Sequence, residues 1–482
     1  MINSKKKNLD ILLILSISFF AIFIRSYNIN YDNYWFDEIL SFWITDPNIP
    51  LQESFKRHKS VEQIPFLYHF FLKLIYKFFS YDYYYGRYLS LIFNILGILF
   101  ATLTCKLISN NKSYLLALFL FSTNIFLINY SQELRPYSLI FFLCSLNLYL
   151  FFKIYNNSQF QIFSSYLFCL ISISQILMII SHPFSIIIFF STSLFLVLNF
   201  INKRKNPKTL VYSTYFCLVF LAIYLFFYLN NLNSFPSWIQ QPDFKFFTNF
   251  YFSKFFGSRI MGLFHLILLI YFIFLNLKSF TIKNNNLNLL IVIIILSYLL
   301  PLTYGYLFNP IIFPRYIIFI LMPIIVVISI MIFDIKNKIL RNIIFSIIII
   351  LNIGNHFSES TFKQFYLKRP NYKPDFDNMI NLIVQSRTQI YTINMSVPIE
   401  KERNVYAAID NYISILNVSQ NSEINFFKKD EFFKSKNQEI WVICLPDVVM
   451  DKCRNFTFNK DIKIIDEKYV PGIKLSLIKK IQ

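Results

Sequence analysis

Eleven apolar stretches, at 9–27, 87–107, 114–130, 136–154, 163–181, 183–201, 209–229, 260–277, 287–307, 315–333 and 339–357, run through most of this 482-residue chain. A hydrocarbon layer of about 30 Å takes about 20 apolar residues in a helix, so each stretch reads as a membrane span, the third and last being the short ones. Inside lipid every backbone N–H and C=O must be satisfied within the protein, which leaves a helical bundle as the fold. Composition agrees: 56% of residues are apolar, with 59 Phe and 32 Tyr. Only 7 Gly are present, too few and too scattered for phosphate-cradling or dinucleotide loops, and the hydrophobicity excludes disorder. The first stretch is expected to remain as a span. It is long for a signal peptide, and Arg25 with bulky neighbours stands where small cleavage-site residues belong.

The net charge of +20 would suggest nucleic acid in a soluble protein, but here its distribution matters more. With the N-terminus inside, the cytoplasmic ends carry 15 basic and 2 acidic residues, and the opposite face of the membrane part carries 12 and 9. That asymmetry follows the positive-inside rule. The apolar stretch 65–79 is excluded from the spans because His69, Lys73 and Lys77, at steps of four, form one polar stripe; it is expected to lie on the membrane. The fold class is therefore an α-helical multispan integral membrane protein with about 11 transmembrane helices. Residues 1–357 form its membrane domain, with a first outer loop at 28–86 that carries interfacial helices. Residues 358–482, with 19 basic and 15 acidic groups, are expected to fold as an extracytoplasmic α/β domain, with a helix near 375–386 and strands near 439–445 and 463–465. Four of the six cysteines lie in apolar stretches; Cys444 and Cys453 in the tail are a candidate disulfide if that side is oxidising.

Chemistry concentrates on the outer side. Asp37 and Glu38 sit among aromatics just after the first span. One reading is a solvated loop helix anchored at the headgroups by Trp35 and Trp43; the other is a carboxylate at the membrane surface whose desolvation suits it to general-base work. A second pattern favours chemistry. The five spans that run inward each begin at or beside Arg87, Arg135, His182, Arg259 or Arg315, with Pro136, Pro183 and Pro314 at helix starts. Helix N-termini carry partial positive charge, so cations added there make anion sites, and phosphate is the natural guest. Arg259 fits equally well as a side chain snorkelling to lipid phosphate. A carboxylate base with a cationic cradle beside a bilayer suits transfer of a group from a lipid-linked phosphate.

The acidic pair after span one, the segment from Pro65 through Leu67-Tyr68 to Gly86-Arg87, and the run Tyr130-Ser131-Gln132-Glu133-Leu134-Arg135-Pro136-Tyr137 resemble the multispan glycosyltransferases that use polyprenyl-phosphate sugars. That superfamily includes protein O-mannosyltransferases, aminoarabinose transferases of lipid A and rhizobial lipopolysaccharide galacturonosyltransferases. His182-Pro183 and Pro314-Arg315-Tyr316 are similar to its outer-loop signatures, and the resemblance covers residues 9–330, more closely up to Tyr155. It implies a GT-C fold and an inverting displacement at the anomeric carbon. Asp37 would deprotonate the acceptor hydroxyl with Glu38 as its partner, and Arg87, Arg135, Arg315 and His182 would hold the donor phosphate. Glu133, Tyr137, Tyr68 and Tyr316 would supply further acceptor or donor contacts. Many relatives carry Lys or His and two prolines before the Leu-Tyr, where this chain reads Glu62-Gln63-Ile64-Pro65; Lys56, Arg57, His58 or Lys59 would substitute, or the donor would sit differently. No cofactor is expected, with a divalent metal as the alternative and no cluster that argues for zinc. The expected partners are membrane lipid, a polyprenyl-phosphate-linked sugar and a glycan, lipid or protein acceptor, without nucleic acid. The expected location is a bacterial inner membrane with the site on the extracytoplasmic side. A transporter or flippase is the rival from another class, but the charges lie at helix ends rather than mid-membrane; eleven spans exceed what a scaffold needs.

Overall fold

The computed structural model describes residues 2–30, 34–109, 111–157, 162–229, 239–278, 285–357, 375–385, 390–393, 404, 407–408, 411–412, 425–426, 439–444, 462–470 and 473–481. The chain forms two compact units, one of Met1–Asn28, Gln63–Tyr68 and Tyr88–Tyr366, the other of Ile29–Glu62, His69–Arg87 and Leu367–Gln482.

In the first unit each of the eleven apolar stretches is helical, as α1 (Ile2–Ser26), α5 (Tyr83–Ile108), α6 (Ser113–Thr123) with α7 (Ile125–Ser131), α8 (Tyr137–Tyr155), α9 (Ser165–Ile179), α10 (Ile186–Ile201), α11 (Lys208–Leu229), α14 (Arg259–Lys278), α15 (Asn285–Leu307), α16 (Leu321–Asp334) and α17 (Lys338–His356). Among the described residues, eight helices are long and apolar enough to cross a membrane on their own. The α6–α7 pair makes a ninth if counted as one span, and α9 and α14 are shorter apolar helices. The chain is an integral membrane protein. Two short 3-10 segments, Pro183–Ser185 and Pro314–Ile320, lead into α10 and α16, each with proline at its start, where the missing N–H costs nothing. Short helices α12 (Phe244–Asn249) and α13 (Phe252–Phe255) precede α14. Glycine permits close approach in this unit: a Cβ on Gly97 of α5 would stand 2.4 Å from the Phe141 ring of α8, and one on Gly262 of α14 would stand 2.4 Å from the Ser253 nitrogen of α13.

The third stretch is not one straight helix; it bends by 56° at Asn124. Asn124 is extended (φ −68°, ψ 115°), and its side-chain oxygen accepts from Leu127 N at 2.9 Å, which caps α7. The break strands carbonyls at the end of α6. Arg25, fully buried at the end of α1, donates to Ser122 O and Phe121 O at 2.9 Å each and to Asn94 Oδ1 at 2.8 Å, while His356 Nε2 lies 2.8 Å from Thr123 O. A helix can break at membrane depth only when its freed backbone groups find protein partners, as these do.

The second unit contains α2 (Phe36–Ile44), α3 (Leu51–Val61), most of α4 (Leu67–Phe78) and the C-terminal elements. Two members of the polar stripe of α4 turn inward while Lys77 stays exposed: His69 and Lys73 are buried, and Lys73 Nζ donates to the carbonyls of Asp46 and Ile49, the latter at 2.8 Å. Trp43, expected as a headgroup anchor, is instead buried beneath the Arg57 guanidinium, 4.7 Å from its ring centroid. Buried Trp and a nearby Arg favour each other through the ring quadrupole and shared desolvation, which outweighs exposure at an interface. The tail has a helix at Phe376–Gln385 and five strands, β1 (Ile390–Ile393), β2 (Asn425–Phe426), β3 (Glu439–Cys444), β4 (Ile462–Val470) and β5 (Ile473–Lys480), in the order β2-β1-β3-β5-β4. β1 pairs in parallel with β2 and β3, and the remaining pairs are antiparallel. Trp441 and Leu475 are buried in this sheet, while the outer strand β4 presents Lys463, Asp466, Glu467 and Lys468, charges that blunt an edge. Cys444 ends β3, and Cys453 lies outside the described residues, as does the disulfide expected between them.

Candidate active site

Two constellations carry the candidate chemistry, one in each unit. In the membrane unit, α7 ends at Ser131 and the chain turns so that Arg135 N–H donates to Glu133 O at 2.8 Å. Pro136 then starts α8, and the turn leaves Arg135 nearly fully buried. Ser90 Oγ donates to Arg135 O at 3.4 Å and lies 2.8 Å from the Tyr68 hydroxyl, so the buried Tyr68 belongs to the wall behind this turn. Tyr130, Tyr137 and Tyr316 line the cluster, with Tyr130–Tyr137 ring centroids 5.0 Å apart and Tyr137–Tyr316 6.3 Å apart. Arg315, placed by Pro314, lies 5.5 Å from the Tyr137 ring and 5.7 Å from its neighbour Tyr316. Glu133 and Arg315 both act electrostatically on Tyr130, which sets Glu133 within this group.

His182 completes the cluster from the turn before α10, its ring 5.3 Å from that of Tyr316. Its Nδ1 accepts from Phe184 N–H at 3.2 Å, which assigns the ring proton to Nε2. Burial, then the charges of Arg135 and Arg315, push its pKa down to about 3. The ring is therefore a neutral donor, and its buried Nε2 has no hydrogen-bond partner among the described residues. An unmet buried donor costs about 1–3 kcal/mol, and an anion oxygen would relieve it. Two guanidiniums, a neutral N–H donor and a tyrosine wall can bind a phosphate. Arg259 is exposed.

In the second unit, α2 begins at the acidic pair. Glu38 is fully buried and takes a two-pronged bond from Arg87, Nε to Oε1 and Nη2 to Oε2 at 2.9 Å each. Arg87 Nη1 donates to Ile29 O at 3.1 Å, and the guanidinium lies 5.0 Å from the Tyr34 ring. The planar fork of Arg87, expected on a donor phosphate, is thus engaged by Glu38. Asp37, one residue earlier, stays half-buried at the surface of α2. Ser41, one turn along α2 from Asp37, donates from Oγ to Asp37 O at 2.9 Å, and its Oγ lies 3.3 Å from His69 Nε2. Of the four cations considered as substitutes, Lys56 and Lys59 are exposed, Arg57 is committed to Trp43, and His58 is buried with its ring 4.9 Å from that of His69. Among the described residues no three His, Cys, Asp or Glu side chains gather as a metal-binding group.

Several participants escape a reading of the sequence. Arg25 and Asn94 look like span residues, yet together they hold the α6 break. Ser41 and His69 lie 28 residues apart. Tyr34, Asp377 and Tyr412 had no motif; only the polar helix pattern at 375–386 pointed to the neighbourhood of Asp377.

No protein-family model matches the sequence, and no curated protein matches it as a relative. Solved structures do resemble it. ArnT from Cupriavidus metallidurans in the apo state superposes with a TM-score of 0.61 at 8% identity over 98% of each chain. The same protein bound to undecaprenyl phosphate gives 0.55 at 9% identity over 97% of each. The archaeal oligosaccharyltransferase AglB from Archaeoglobus fulgidus, in complex with an inhibitory peptide and a dolichol-phosphate, gives 0.51 at 11% identity, over 91% of this chain and 69% of that one. At such identities the likeness is one of fold: the chain has a GT-C architecture, a multispan helical domain with a small C-terminal sheet.

Proposed function

We propose that this protein is a membrane glycosyltransferase that moves a sugar from a polyprenyl-phosphate donor to a hydroxyl group of a glycan, lipid or protein acceptor. The observation that carries the reading is the buried Nε2–H of His182, without an acceptor among the described residues and under the charges of Arg135 and Arg315. Two of the structures that share the fold hold polyprenyl phosphates, undecaprenyl phosphate in ArnT and dolichol-phosphate in AglB, which supports a lipid-phosphate ligand here. Arg135, Arg315 and His182 bind the donor phosphate, and Tyr137, Tyr316 and Glu133 border it. Asp37 is the general base.

In the reaction the acceptor hydroxyl gives its proton to the base as its oxygen attacks the anomeric carbon from the face opposite the phosphate. The bond from that carbon to the phosphate oxygen breaks, and polyprenyl phosphate leaves with the electron pair, so configuration inverts. The guanidiniums and the His182 N–H meet negative charge as it grows on the leaving oxygen, where preorganised donors act most strongly. Glu38, held by Arg87, does not take the proton; it fixes the first turn of α2 and with it the base. No cofactor is invoked. The site works on the extracytoplasmic side of a bacterial inner membrane, the face opposite the Lys- and Arg-rich ends.

Purified protein in detergent, given a panel of radiolabelled polyprenyl-phosphate sugars and crude envelope acceptors, tests this. Wild type should transfer label and Asp37→Asn should lose about 10²–10⁴-fold, the usual contribution of a general base. Equal transfer by both would remove Asp37 from the chemistry, and binding of polyprenyl phosphate unchanged in Arg135→Ala would remove the cradle.

A further inference from the structure

We infer that Asp377 and Tyr412, from the C-terminal region, are positioning residues for the acidic pair at the start of α2, acting through Tyr34 and Arg87. For its rate effect this rests on the glycosyltransferase reading above. The contacts run in one line. Tyr412 OH donates to Asp377 Oδ1 at 2.9 Å. The Tyr412 ring stacks on that of Tyr34, centroids 5.8 Å apart and planes 18° apart. Tyr34 stands 5.0 Å from the Arg87 guanidinium, whose fork grips Glu38, the neighbour of Asp37. Asp377 also feels the charge of Arg87 directly. Tyr34, Tyr412, Arg87 and Glu38 are each at most 1% exposed, so the line passes through packed interior, where a displaced ring or charge cannot be absorbed by water.

A second pair of contacts fixes the same helix further along. Tyr81 OH is shared between Phe42 O at 3.0 Å and Asn411 Oδ1 at 2.9 Å, and its ring stacks on Phe42 at 4.1 Å. Two consecutive tail residues therefore bear on α2, Tyr412 through Tyr34 and Phe42 and Asn411 through Tyr81. A helix of nine residues is too short to hold its own geometry, because nucleation is not repaid over so few bonds. Packing alone would need only apolar side chains here. A carboxylate aimed at a tyrosine hydroxyl beside an arginine specifies one orientation as well.

The experiment compares Asp377→Ala, Asp377→Asn and Tyr412→Phe in the full chain. Asp377→Ala and Tyr412→Phe should lower kcat by about ten- to a hundredfold, the scale of a slightly displaced reacting group, with KM for the polyprenyl-phosphate sugar nearly unchanged. Asp377→Asn keeps an oxygen that accepts from Tyr412 and should recover most of the rate lost in Asp377→Ala. An unchanged kcat in Asp377→Ala, or no recovery in Asp377→Asn, overturns the inference. A second readout needs no activity: melting shifts of Asp377→Ala and Arg87→Lys, singly and combined, should be non-additive, with Tyr34→Leu replacing Arg87→Lys if that variant fails to fold. Additive shifts overturn it as well. If wild type transfers no sugar yet the shifts are non-additive, the glycosyltransferase reading fails while the link between tail and acidic pair stands.

Discussion

Arg87 and Arg315 hold the same place in the sequence pattern, at the start of an apolar stretch, yet the fold uses them in opposite ways. Arg87 is closed into a buried two-pronged pair with Glu38. Arg315 is only half-buried and faces tyrosine rings, with Arg135 and a neutral His182 nearby. Pairing commits Arg87 to architecture, whereas Arg315 is set among aromatic rings, where the proposed donor phosphate would meet it. A cation at a helix start is thus one signal with two surroundings, a buried carboxylate fork for Arg87 and tyrosine rings for Arg315.

The largest effect expected from this contrast comes from the closed pair. Arg87→Ala strands the Glu38 carboxylate in the interior and should cost about 3–5 kcal/mol of stability, read as a fall in melting temperature in detergent. Arg135→Ala should act on binding: a lost charge-assisted contact of about 1.5–3 kcal/mol should weaken polyprenyl-phosphate binding about ten- to a hundredfold. A loss of stability in Arg135→Ala with binding intact would erase the distinction between the two sites.

Acidity offers a finer test, because the two units should respond in opposite directions. Burial depresses the pKa of His182 from 6.5 to about 3, so its contribution to stability is complete above pH 6.5 and is lost as pH falls toward 3. Burial raises Asp377 from 3.8 to about 6, so its contribution is present below pH 3.8 and is lost as pH rises through 6. Melting curves should therefore lose part of their acid sensitivity in His182→Gln and gain relative stability at neutral pH in Asp377→Asn. Identical pH profiles for wild type and His182→Gln would show that the ring is not held neutral by its surroundings. The smallest effect is on the sheet edge, where the exposed Lys474–Glu467 pair, 2.6 Å apart, should change stability by less than about 1 kcal/mol on Lys474→Ala.

Much of the architecture follows from periodicity and length. The eleven apolar stretches are helical because lipid leaves the backbone no other way to bond, and the alternating and helical patterns of the tail reappear as β3, β4 and Phe376–Gln385. Prolines 136, 183 and 314 mark helix starts because their fixed φ and absent N–H suit those positions. The bend at Asn124 was not legible, since no Gly or Pro announces it; it exists because Arg25, 97 residues from Ser122 in the chain, and His356, 233 from Thr123, supply bonds to the carbonyls it frees. The α4 stripe marks a helix kept out of the spans, but nothing along the chain shows that Lys73 finds buried carbonyls.

The sequence by itself determined that this chain lives in a membrane and which stretches of it are helical. Those properties are local, set by runs of side chains against the thickness and dryness of a bilayer. Only the tertiary structure decided that Glu38 closes on Arg87 across 49 residues, that the buried His182 ring meets that of Tyr316, and that Tyr412 reaches Tyr34. Each of these depends on which side chains share a desolvated space, and no pattern along the chain encodes that distance.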